Sequence, residues 1–126
     1  MACTVVVFGQ KQMRQQSLEG KWTITFMLME GKLSDVSDKG YKLEFRTGEN
    51  RMGAQICNRM GGSYISDGNI IKFGQMFSTK MMCPDMAYET AFGNALMQVN
   101  NFSFEENRML LKNGNDTLMI LSIQEN

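Results

Sequence analysis

The chain has 126 residues, 43% apolar and 21% charged, with 13 Lys plus Arg against 13 Asp plus Glu. That length suits one domain with its own core, and the composition excludes disorder, collagen and coiled coil. A net charge of zero leaves no long-range field to draw the protein to nucleic acid or an anionic membrane, and the absence of histidine excludes Ser-His-Asp and Cys-His catalysis.

Residues 1–17 read as a leader. Their apolar part, residues 2–8 (ACTVVVF), is too short to span a bilayer and lacks a preceding positive segment. Two readings fit it: the remnant of a secretory signal, or a short strand or loose leader. Cys3 invites lipidation, although no full apolar stretch precedes it. The domain is expected over residues 18–126, with no transmembrane span.

Residues 22–29 (WTITFMLM) form a continuous apolar run of strand length, which predicts a central strand covered on both faces. A polar loop follows over 31–40. Short β-prone segments then alternate with turn residues: 41–46, 51–57, 63–66 and 70–73. The Asp67-Gly68 pair marks the clearest hairpin, because Gly68 supplies the positive φ a tight turn demands. From 84 to 99 the period changes. Tyr88, Phe92, Ala95, Leu96 and Val99 recur on one face of a helix, with Pro84 suited to its first turn and Asp85 and Glu89 at the positive end of its dipole. Three strands close the chain, at 102–105, 109–112 and 117–123. The expected fold is therefore α+β: a small curled, mostly antiparallel sheet or partial barrel of about eight strands, with one helix packed on it.

The chemistry-bearing residues are few. Residues 53–64 (GAQICNRMGGSY) begin like a strand and end like a tight turn, where Gly61-Gly62 would relax the backbone and Asn58 would bond its own main chain. A phosphate loop is rejected, since neither the Gly-Lys-Ser/Thr ending nor a following helix is present. The 13 methionines read as fillers of irregular core gaps. Met81, Met82 and Cys83 are the place a copper(I) site would lie, but no metal and no cofactor are expected. Glu105-Glu106 and the pair Asp35 and Asp38 sit in polar turns, where solvated charges are ordinary, so no catalytic residue is assigned.

In this order and spacing, Gly20-Lys21-Trp22, residues 53–64, residues 79–83 (TKMMC), and Glu89 and Phe92 before a helix ending in Leu96 resemble the META domain family. That family includes the HslJ-like heat-shock proteins. The resemblance covers roughly residues 18–123 and carries Gly53, Cys57, Asn58, Gly62, Tyr64, Thr79, Met81 and Cys83 as the signature. Ile56 stands where the family prefers glycine, and Met60 where it prefers an aromatic. The resemblance implies a compact α+β fold and frequent occurrence as an exported, sometimes stress-associated protein or lipoprotein of the bacterial cell envelope. It implies no enzymatic activity.

Cys57 and Cys83 recur in the two signature segments, which suggests that they are neighbours. Three states stay open for them: a disulfide in an exported protein, worth roughly 3.5 kcal/mol on the chain-entropy model, packed thiols in a cytosolic one, or metal binding. The expected function is thus a non-catalytic envelope module, its partner an envelope protein, with a cytoplasmic location still open. The alternative is a carrier of a small apolar ligand, with Trp22, Phe26, Phe45 and Phe73 lining a barrel-like cavity.

Overall fold

The computed structural model describes residues 17–123, so the leader reading, with Cys3, lies outside them. Nine strands and one α-helix follow in the order β1 (Gly20–Met29), β2 (Lys32–Asp35), β3 (Lys42–Arg46), β4 (Arg51–Gln55), β5 (Arg59–Asp67), β6 (Ile70–Ser78), α1 (Ala87–Gln98), β7 (Asn101–Glu105), β8 (Arg108–Asn113) and β9 (Asp116–Ile123). Each strand pairs antiparallel with its neighbours, and β1 also pairs with β9, so the sheet closes into a ring. No helix among the described residues is long and apolar enough to cross a membrane.

The added strand is β2, inside the expected polar loop. It pairs with the end of β1 from Met29↔Lys32 to Phe26↔Asp35. Its turn opens on Glu30 at φ 53°, a left-handed conformation on a residue that rarely adopts it, so the sequence carries little signal of a hairpin there. The Asp67-Gly68 hairpin stands where expected, with Gly68 at φ 62° and Asp67 opposite Ile70.

The inner face of β1 starts with Trp22 and Ile24, both buried. Strict alternation would bring Phe26 inward next. A β-bulge between Ile24 and Phe26 inserts Thr25 into the pairing with β9, and its hydroxyl donates to the Ile120 carbonyl at 3.1 Å. Met27 therefore takes the inner position, with no exposed surface, and Phe26 lies half-buried outside the core cluster. The other face of β1 is partly rather than fully covered.

α1 is shorter than the periodicity suggests. Pro84 lies ahead of it rather than in its first turn, and the Asp85 carboxylate accepts from the Ala87 N–H at 2.9 Å. β6 and β7 share only the pair Ile70↔Asn101 before they diverge. α1 packs against β1 and β6 beside that divergence, burying Phe92, Ala95 and Leu96 in the common core. At its end Asn113 donates to the Gln98 carbonyl at 2.6 Å, and Val99 joins the core.

Candidate functional site

The two signature segments and the start of α1 meet on one side chain. Asn58, 3% exposed, sits in the tight connection between β4 and β5. Its Oδ1 accepts from the Thr79 hydroxyl at 2.9 Å and from the Met81 N–H at 2.7 Å. Its Nδ2 donates to both oxygens of Glu89, at 3.3 and 3.0 Å, and lies 3.7 Å from Cys83 Sγ. The Asn58 backbone N–H adds a bond to Glu89 Oε1 at 2.9 Å. An asparagine side chain has two donor hydrogens and two acceptor lone pairs. All four are engaged, on two different segments.

Asn58 thus does not bond its own backbone, as the sequence suggested. It clamps the 79–81 segment and the first turn of α1 to the β4–β5 corner. Cys57 and Cys83 are joined in a disulfide beside this clamp, with Cα atoms 6.2 Å apart. Thr79 completes the junction: its hydroxyl accepts from the Arg59 N–H at 3.1 Å, and its own N–H donates to the Arg59 carbonyl at 3.0 Å. Met81 contributes its backbone, while its side chain is 56% exposed.

Glu89 stands in the first turn of α1, as expected, but it faces inward rather than outward. A carboxylate in a first helical turn ordinarily serves the dipole from the surface. Here it is 8% exposed, and its Asn58 donors satisfy it. The signal was present, because Glu89 lies three residues before Phe92 and seven before Leu96, on the apolar face. A charge in that position needs a buried partner.

The glycines act differently from expectation. Gly61 and Gly62 lie within β5, not in a tight turn, and neither has a positive φ. Their role is close approach. A Cβ on Gly62 would stand 2.6 Å from the Gln75 carbonyl oxygen and 2.7 Å from Met76 Sδ, beside the bulge where β5 and β6 shift register. Gly53 pairs with Gly61 across β4 and β5. Tyr64 is buried against Phe45, edge to face at 5.3 Å between centroids, and against Phe73 at 6.2 Å. Burial, joined by the charge of Glu19, pushes its phenol above the usual range.

Of the four aromatics named as ligand lining, Trp22, Phe45 and Phe73 share the one core cluster, with Phe45 and Phe73 6.2 Å apart and Trp22 6.4 Å from Phe104, while Phe26 is outside it. Trp22 also donates its indole N–H to the Leu18 carbonyl at 2.9 Å. Two open grooves occur elsewhere. One, of about 500 Å³, lies between the end of β1 and α1, lined by Leu28, Met29, Met86, Ala87 and Ala91 among others. The other, of about 510 Å³, lies on the outer face of β1, β3, β4 and β5. Among the described residues, no three of His, Cys, Asp and Glu are grouped to hold a metal ion.

The solved structures that resemble this one share its fold. A protein from Burkholderia xenovorans, solved by NMR, superposes with a TM-score of 0.70 at 21% identity, over 90% of this chain and 88% of that one. A DUF4847 family protein from Bacteroides vulgatus gives 0.64 at 14% identity, over 90% and 99%. No curated protein matches the sequence. The profile of the META domain matches residues 15–125, which takes in both signature segments, the clamp and every strand among the described residues. By that match, and with the ring and helix described above, the chain belongs to the META domain family.

Proposed function

We propose that this chain is a non-catalytic module of the bacterial cell envelope, exported or held there as a lipoprotein, that supports the envelope under stress by binding a partner. The observation that carries the reading is the disulfide between Cys57 and Cys83, which joins the two signature segments. Disulfides persist in oxidising compartments and are rare in the cytosol. The Asn58 clamp supports the non-catalytic part. Its polar groups are all engaged by Thr79, Met81 and Glu89, so they hold the fold rather than face a substrate.

The test is to express the full native gene in its host, fractionate the cells, and measure thiols by alkylation and mass. Recovery in the envelope fraction, with Cys57 and Cys83 protected until reduction, is the expected result. Cytosolic recovery with both thiols free would overturn the reading.

A further inference from the structure

The groove on the outer face of the ring carries a charge pattern that the neutral whole conceals. Four cations line it, Lys21, Lys42, Arg46 and Arg59, against one carboxylate, Glu44. The strand register builds it. Lys21, Glu44 and Gly53 succeed one another across β1, β3 and β4, and Lys42 leads through Gln55 to Arg59 one row away. At Gly53 the row has no side chain, so the floor drops to the backbone with cations around it. The hollow measures about 510 Å³, the size of a small-molecule site.

The charges are largely uncommitted. Glu44 approaches Arg46 at 3.8 Å, and Lys42 reaches the Thr23 hydroxyl at 3.4 Å. Among the described residues, Lys21, Lys42 and Arg59 have no ion-pair partner. Chain-wide, 13 positive and 13 negative side chains cancel. Like charges gathered around a concave floor repel one another and are relieved by an anion that bridges them.

We infer that this hollow binds a small multivalent anion bearing phosphate groups, its charges on Lys21, Lys42, Arg46 and Arg59 and its body over Gly53. The site is on the opposite side of the sheet from the core and shares no side chain with the Asn58 clamp, which meets Arg59 only through its backbone. It does not depend on the compartment in which the protein works.

Calorimetric titration of the disulfide-intact protein with sodium tripolyphosphate at low salt tests it, beside a flotation assay with phosphatidylglycerol vesicles. Tripolyphosphate is expected to bind and to weaken steeply as salt rises. The double reversal Lys42→Glu with Arg59→Glu should lower affinity at least about tenfold, whereas Lys72→Glu, outside the groove, should change it less than about twofold. Gly53→Val should also weaken binding while folding normally, because a Cβ there meets only the Met60 carbonyl oxygen, at 3.7 Å. Vesicle binding that tripolyphosphate displaces and the double reversal abolishes identifies a lipid headgroup as the source; tripolyphosphate binding without vesicle binding identifies a free phosphate ligand. Binding of neither probe overturns the inference, and so does an equal loss in Lys72→Glu, which would mark a general charge effect.

Discussion

Replacing Asn58 by Asp changes one atom type in the clamp and gives its energetics a pH signature. The amide nitrogen that donates to Glu89 at 3.0 and 3.3 Å becomes an oxygen, so two carboxylates face each other inside the fold. At that distance and an effective dielectric near 20, their repulsion is about 5 kcal/mol. Protonating one of them is the cheaper course, and near pH 7 it costs about 4 kcal/mol for a group whose ordinary pKa is near 3.9. The protonated pair keeps its geometry, with the new hydroxyl donating to Glu89 and the other oxygen still accepting from Thr79 and Met81. The folded-state pKa of this pair is raised above the unfolded value. Its stability is therefore present below the unfolded pKa and is lost as pH rises toward the folded one. N58D should match the wild type near pH 4, then fall behind by about 1.4 kcal/mol per pH unit to about 4 kcal/mol at pH 7. Urea unfolding of both proteins without reductant, followed by the fluorescence of Trp22, the sole tryptophan and 1% exposed, measures the difference at each pH. A gap below about 1 kcal/mol at pH 7, or one that does not vary with pH, would refute the buried contact.

Three further outcomes follow from the geometry. Gly62→Ala should cost about 2–4 kcal/mol, because its Cβ meets the Gln75 carbonyl oxygen, whereas Gly61→Ala should cost under about 1 kcal/mol, since it meets the tip of the exposed Phe77 ring, which can swing away; denaturant midpoints compare the two. Reducing the Cys57–Cys83 disulfide should lower stability by about 3.5 kcal/mol and speed amide exchange in residues 80–88 ahead of β3 and β4, read by hydrogen exchange with and without dithiothreitol. The Thr47 hydroxyl and N–H, at 2.7 and 2.8 Å, hold the Glu19 carboxyl below its usual range, so its contribution is present above the unfolded pKa and lost as pH falls through the folded one. Carbon-detected NMR titration should show Glu19 titrating below the ordinary glutamate value, and Thr47→Val, which removes the hydroxyl and keeps the backbone N–H, should raise it only part of the way back.

What the sequence revealed was mostly local. The Asp67-Gly68 turn, the β-prone segments at 41–46 and 51–57, and the apolar face of α1 each rest on neighbours within a few residues, and each is found where its pattern stands. Phe26 was misplaced because a single inserted residue, Thr25, reverses the parity of a strand, and that insertion is set by β9 nearly one hundred positions away. β6 was cut short at Phe73 for a related reason. Its bulge breaks the alternation, and the continuation to Ser78 is held by pairing with Gly61 and Gly62. The clamp was only half legible. Asn58, Thr79, Met81 and Glu89 all stood in the segments that carry the family resemblance, but nothing local showed that Glu89 would be buried against Asn58. The cationic hollow left no mark in the composition, because its members come from four strands and a neutral total hides them.

The closure of the ring between β1 and β9 imposes an order on the protein's birth. Trp22 finds Ile123, and Ile24 finds Leu121, only across the length of the domain. Hairpins such as β5–β6 and β8–β9 need only their own turns and can form as each is made. β1, made before the other described strands, instead keeps one edge open until β9 arrives. Through that interval its apolar run, Trp22 to Met29, has an unpaired edge ready to pair with a neighbouring molecule. Truncation ahead of Asp116, where β9 starts, would leave that edge unmet, so β9 guards the strand made about one hundred residues before it.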